Sequence, residues 1–170
     1  MGARKSFDQR GPGLFECTSP GINFFAGISM NSNLRGLTTL LQIFDMPRSL
    51  EFYRDLLGFA VVCTSPGDHF TWAMLRRGDC TLMLNTAFDE GERPAEPDPA
   101  RVAAHGDTIL YFACDSVEEV RAYLRGKGWE ADDPVSTYYG MRQLYAKDPD
   151  GYAVCFQHPV SEETETVAEA

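Results

Sequence analysis

The 170-residue sequence predicts an α+β protein made of two βαβββ modules in tandem. Three observations carry the prediction: a supersecondary unit that recurs in register, a capped amphipathic helix in each copy, and turn chemistry that cuts the remainder of each copy into short strands.

The recurring pattern is an Asp, a Tyr eight positions on, a Gly at thirteen and an aromatic residue at fourteen: Asp45, Tyr53, Gly58 and Phe59, then Asp115, Tyr123, Gly128 and Trp129. Each copy opens on an apolar, strand-like run, Leu37 to Asp45 and Thr108 to Asp115. Helical segments follow, Met46 to Leu57 and Ser116 to Arg125. Asp45 stands before Pro47, and Asp115 stands before Ser116, Glu118 and Glu119. Each Asp can accept from the unpaired N–H groups of a helix start, and Ser116 with Glu119 offers a capping box. Leu50, Tyr53 and Leu57 recur at three- and four-residue steps, as do Val117, Val120 and Leu124, so each helix has one apolar stripe to lay on a sheet. Tyr53 and Tyr123 are expected under their helices. Gly58 and Gly128 then end the helices by taking left-handed backbone angles.

Strands are predicted at Phe59 to Cys63, Phe70 to Leu75 and Cys80 to Asn85, and again at Ser136 to Tyr139, Gln143 to Lys147 and Ala153 to Gln157. Pro66-Gly67, Arg77-Gly78-Asp79 and Asp148-Pro149-Asp150-Gly151 supply the backbone angles that tight reversals need. The chain thus divides into a loosely ordered leader (1–35), a first module (36–85), a connector rich in Glu, Pro and Ala (86–107), a second module (108–158) and an acidic tail (159–170).

Formal net charge is -10. Such a field repels nucleic acid and attracts small cations, so no nucleic-acid partner is expected. No apolar run reaches the ~18 residues that span a bilayer, so no membrane partner is expected either. The five cysteines, at 17, 63, 80, 114 and 155, include no CxxC pair and are odd in number. They read as reduced thiols in a cytoplasmic protein rather than as a disulfide framework or a zinc site.

The run Phe44-Asp45-Met46-Pro47-Arg48-Ser49-Leu50-Glu51-Phe52-Tyr53-Arg54-Asp55-Leu56-Leu57-Gly58-Phe59 and the turn Asp148-Pro149-Asp150-Gly151-Tyr152 resemble the opening signature and final turn of the glyoxalase, bleomycin-resistance and dioxygenase (vicinal oxygen chelate) superfamily. The resemblance spans roughly residues 36 to 158. It implies a curved mixed sheet around a cleft and a homodimer. Its metalloenzymes place His or Glu at four strand positions, which here hold Thr38, Met83, Thr108 and Cys155. Two hydroxyls, a thioether and a thiol do not suit a hard or borderline divalent ion, so neither a metal nor another cofactor is expected, and no catalytic residue is assigned. His69, His105 and His158 replace none of the missing ligands.

Alternation along the strands predicts the cleft lining: Thr38, Leu40, Gln42 and Phe44; Trp72 and Met74; Met83 and Asn85; Thr108, Leu110 and Phe112; Cys155 and Gln157. Mostly apolar walls with a few amides suit a flat organic ligand held by burial and stacking. The leading expectation is therefore metal-independent binding or sequestration of a small aromatic or cationic molecule, in the manner of bleomycin-resistance proteins, with antibiotic resistance as its sharpest form. Two alternatives stand beside it: a glyoxalase- or dioxygenase-type isomerase or lyase with an atypical site, and an interaction or regulatory protein with a closed cleft.

Overall fold

The computed structural model describes residues 16–17, 36–86, 88 and 91–160. They form two units divided between Ala95 and Glu96.

The first unit holds a five-stranded sheet in the order β1-β3-β4-β5-β2. Its strands are β1 (Glu16–Cys17), β2 (Thr39–Ile43), β3 (Ala60–Thr64), β4 (Trp72–Arg77) and β5 (Cys80–Thr86). β2 runs parallel to β5, and the other pairs are antiparallel. Between β2 and β3 lies α1 (Met46–Leu50), which runs directly into a π-helical turn at Glu51–Leu56. Asp45 caps α1, its Oδ1 accepting from the backbone N–H of Arg48 at 2.9 Å. The π turn closes with the Leu57 N–H donating to the Phe52 carbonyl at 2.9 Å, so one extra residue is wound into the helix. Gly58, at φ 73°, then ends it.

The second unit opens on α2 (Pro99–His105), in the segment read as a connector. A four-stranded sheet follows, ordered β6-β9-β8-β7, with β6 (Ile109–Ala113), β7 (Val135–Ser136), β8 (Met141–Lys147) and β9 (Ala153–Pro159). α3 (Val117–Gly126) connects β6 to β7 and packs on β8 and β9. Both units are thus mixed sheets with a helix on one face, each built from βαβββ.

Each sheet buries its helix-side face. In the first unit Leu41, Ile43, Ala73, Leu75, Leu82 and Leu84 are buried together with Phe52 and Tyr53 of the helical segment. In the second, Leu144, Val154 and Phe156 are buried with Val117 and Leu124 of α3. The Arg142 guanidinium on this face pairs with Glu118 of α3 at 2.9 Å.

Four expectations need correction. The leader contributes a short strand, β1, while the rest of it lies outside the described residues, as does most of the acidic tail. Cys63 is disulfide-bonded and stands opposite Cys17 in the β1–β3 register. The reading of five reduced thiols therefore fails, and the cytoplasmic placement loses that support; Cys80, Cys114 and Cys155 are free. In the second helix the N-cap is Ser116, whose hydroxyl accepts from the Glu119 N–H at 3.2 Å, and not Asp115. Tyr123 is 46% exposed beside Lys127, whereas Tyr53, its counterpart in the repeat, is fully buried.

The last turn, Asp148 to Tyr152, serves as a seat for α2. The Asp148 carboxylate accepts from the N–H groups of Asp150 and Tyr152 at 2.9 and 2.8 Å. His105 of α2 lies within 2.7 Å of the Asp150 carbonyl through Nδ1, and its ring stacks on Tyr152 at 4.1 Å. Gly151 has φ 89°, and a Cβ there would come 2.5 Å from the Val102 carbonyl oxygen of α2. Among the described residues no helix is long and apolar enough to cross a membrane.

Candidate functional site

The functional question lies on the sheet faces turned away from the helices. In the first unit the register aligns Leu40 with Met83 and Met74, and Gln42 with Asn85 and Trp72. Neighbouring side chains at paired positions point the same way, so these six share one face. It is part-exposed, and one amide pair orders it: Asn85 Nδ2 donates to Gln42 Oε1 at 3.2 Å. Phe44 lies just past the end of β2, where its ring meets Phe88 edge-on at 5.9 Å and carries the Arg93 guanidinium 5.4 Å from its centroid. Arg93 also pairs with the cap residue Asp45.

In the second unit the register aligns Tyr111 with Cys155 and Tyr145, and Ala113 with Gln157 and Gln143. The faces therefore differ from the sequence expectation. Cys155 and Gln157 share the open face, but Leu110 and Phe112 pair with Val154 and Phe156 on the α3 side, where Phe112 and Phe156 stack at 5.8 Å. Thr108 precedes β6 and is exposed, its carbonyl accepting from the Ala153 N–H. Thr38 likewise precedes β2. The cause of the mismatch is the cap. Taking Asp115 as the equivalent of Asp45 sets β6 one residue out of step, and a one-residue slip turns every side chain to the other face. Tyr111, absent from the expected lining, enters the site for this reason, whereas Gln143 and Tyr145 enter because β8, from which the expected lining took no residue, pairs with β9 on the same face. A serine followed three residues later by glutamate, Ser116 and Glu119, was the sequence signal that could have placed Tyr111, and alternation along Gln143 to Lys147 the one that could have placed the other two.

A hydrogen-bonded network covers this face. Tyr145 and Tyr139 both donate through their hydroxyls to Gln143 Oε1, at 3.1 and 3.2 Å. Gln143 Nε2 donates to Gln157 Oε1 at 2.8 Å. Gln143 is 2% exposed and Cys155 fully buried, while Tyr111 and Tyr139 remain about half exposed. A hydrogen bond with Tyr111, then burial, then the Cys155 thiol hold the Tyr145 phenol well above the usual tyrosine range. Burial pushes the Cys155 thiol up as well, against a smaller opposing effect of the Tyr145 hydroxyl. Near neutral pH both groups keep their protons, so neither is a ready nucleophile or base.

At the metal-bearing strand positions the corrected register replaces Thr108 by Ile109, which stands seven residues before the true cap as Thr38 does before Asp45. Thr38, Met83, Ile109 and Cys155 supply no imidazole and no carboxylate, so this donor set does not fit a divalent ion. Among the described residues no three His, Cys, Asp or Glu side chains converge elsewhere. A groove of about 600 Å³ runs between α2 and the last turn, lined by Glu96, Pro97, Val102, Ala103, Lys147 and Gly151. It adjoins the open face through Lys147, which alternation puts on the Tyr145 side of β8.

Comparison with known proteins agrees with this architecture. A glyoxalase/bleomycin resistance protein from Streptomyces sp. CB03234 is 26% identical, with a TM-score of 0.52, covering 71% of this chain and 97% of its own. The protein SMU.1112c is 26% identical with a TM-score of 0.58, over 74% of this chain and all of its own. TnmS3, an antibiotic binding protein from Streptomyces sp. CB03234, shares the fold at 24% identity and a TM-score of 0.57, over 75% of this chain and 98% of its own. Among curated proteins there is no match. The profile of the Glyoxalase/Bleomycin resistance protein/Dioxygenase superfamily matches residues 37–156, and with a βαβββ unit on either side of Ala95 the chain belongs to that superfamily.

Proposed function

We propose that this chain binds a small aromatic molecule on the open face of its second sheet and sequesters it without metal and without chemical change, antibiotic sequestration being the sharpest form. The observation that carries the reading is the Tyr111–Cys155–Tyr145 row beside the Gln143–Gln157 pair. Phenol rings offer a broad stacking surface, and fixed amides orient what lies on it. The same groups are poor chemists, since the phenol of Tyr145 and the thiol of Cys155 are both held in their protonated forms. The antibiotic-binding neighbour contributes the fold to this reading and nothing further. A homodimer is part of the proposal and would appear in light scattering as twice the 18.9 kDa chain.

Thermal-shift screening against aromatic antibiotics tests the reading. A ligand at 100 times its dissociation constant adds about 2.7 kcal/mol of stability. Tyr111→Ala should remove most of the response to any ligand that gives one. Stoichiometric iron, zinc, nickel or manganese in freshly purified protein would overturn the metal-free reading and favour an enzyme.

A further inference from the structure

The network on the second unit's open face has a direction. Gln143 Oε1 receives two phenol protons, from Tyr139 and Tyr145, and so fills both its lone pairs. Gln143 Nε2 then donates to Gln157 Oε1, which uses the acceptor end of the second amide. What remains is Gln157 Nε2, an amide N–H₂ that has no partner among the described residues. Lys147 Nζ, likewise without a partner among the described residues, lies beyond Tyr145 on the same side of β8, at the opposite end of the tyrosine row from Gln157. Both unpartnered groups are donors, and the amide acceptors between them are consumed within the protein.

Resting on the binding reading above, we infer that the ligand of this face is a planar aromatic molecule bearing a carbonyl or carboxylate oxygen, recognised by Gln157 at one end and Lys147 at the other. This runs against the chain as a whole, whose net charge of -10 draws cations. Long-range attraction governs encounter, but a bound oxygen that meets an unpaired donor gains a contact that an ammonium group cannot make. A cation placed beside Lys147 meets like charge instead.

Three probes sharing one ring system test it: 2-naphthoate, 2-naphthamide and 2-naphthylmethylammonium, titrated against the whole chain by ligand-observed NMR. The two oxygen-bearing probes should bind at least about fivefold more tightly than the ammonium, as one net hydrogen bond requires. Gln157→Leu should weaken naphthamide about fivefold while leaving the ammonium unchanged, and Lys147→Met should weaken naphthoate most. Gln157→Glu keeps the acceptor that Gln143 needs and removes the free N–H₂, so it separates loss of the donor from loss of the fold. Equal binding of all three probes, or preference for the ammonium, overturns the inference and leaves the binding reading standing. No binding of any probe at millimolar concentration, with the variants folded, overturns both.

Discussion

The open faces of the two units share one grid and fill it differently. Leu40, Met83 and Met74 in the first unit occupy the places of Tyr111, Cys155 and Tyr145 in the second, while Gln42, Asn85 and Trp72 occupy those of Ala113, Gln157 and Gln143. The first face sets aliphatic and thioether side chains beside Trp72 and an amide pair bonded at 3.2 Å. The second is a phenol and amide network around a fully buried glutamine-and-cysteine centre. A duplicated scaffold fixes where side chains stand and leaves open what they do.

Substitutions at matched positions should separate the two halves most where burial differs most. Tyr53→Ala removes a fully buried ring and should cost about 3–5 kcal/mol, whereas Tyr123→Ala, at the same place in the repeat but 46% exposed, should cost under about 0.5 kcal/mol in urea unfolding. Equal costs would mean that the two helices seat their tyrosines alike. Next come the glycines. Gly151→Ala combines left-handed φ with a Cβ 2.5 Å from a carbonyl oxygen and should cost about 3 kcal/mol; Gly58→Ala, with only the Arg77 side chain 3.9 Å away, should cost about 1 kcal/mol.

The networks differ by a smaller margin. Gln143→Leu strands two phenols and one amide and should cost about 1–3 kcal/mol, while Asn85→Leu should cost about 0.5–1 kcal/mol. Alkaline titration sharpens the contrast. The folded-state phenol of Tyr145 is held above its unfolded value, so its contribution is intact below pH ~10 and is lost as pH rises further, because the unfolded chain ionises first. Absorbance of the seven tyrosines near 295 nm should show at least one phenol that ionises only on unfolding. Tyr145→Phe should lower the number of phenols in that late step by one. The smallest effect is kinetic. Exposed Cys80 should be alkylated by iodoacetamide at pH 8 well before Cys114 and Cys155, whose thiols burial raises, with Asp115 adding to the effect at Cys114. Mass spectrometry of a time course would reveal the order.

Much of the fold was legible because local chemistry and global architecture agree. Gly58 and Gly128 have positive φ, Asp45 caps α1, and the turn at Asp148–Gly151 closes as read. The first face was legible too, since its strand anchors were in step. The second was not. Asp45 to Gly58 and Asp115 to Gly128 have equal spacing in sequence, yet the first helix spends one residue more on its π turn and the second starts one residue later at Ser116. The two offsets cancel along the helix and so hide in the pattern, but β6 feels the shifted cap in full. The disulfide at Cys63 escaped for a different reason, because its register neighbour Cys17 sits in a leader with no strand periodicity to announce the pairing.

The last strand of the second unit is also an inner one. β9 lies between β6 and β8, and the turn that precedes it is where α2 seats His105 and Val102. During synthesis, β6, α3 and β8 leave the ribosome before the strand that joins them, so this half assembles only once residues up to about 159 are free. A stop codon a few codons upstream of Ala153 would then deprive the cell of the whole half rather than of one strand, and leave two bare sheet edges for aggregation.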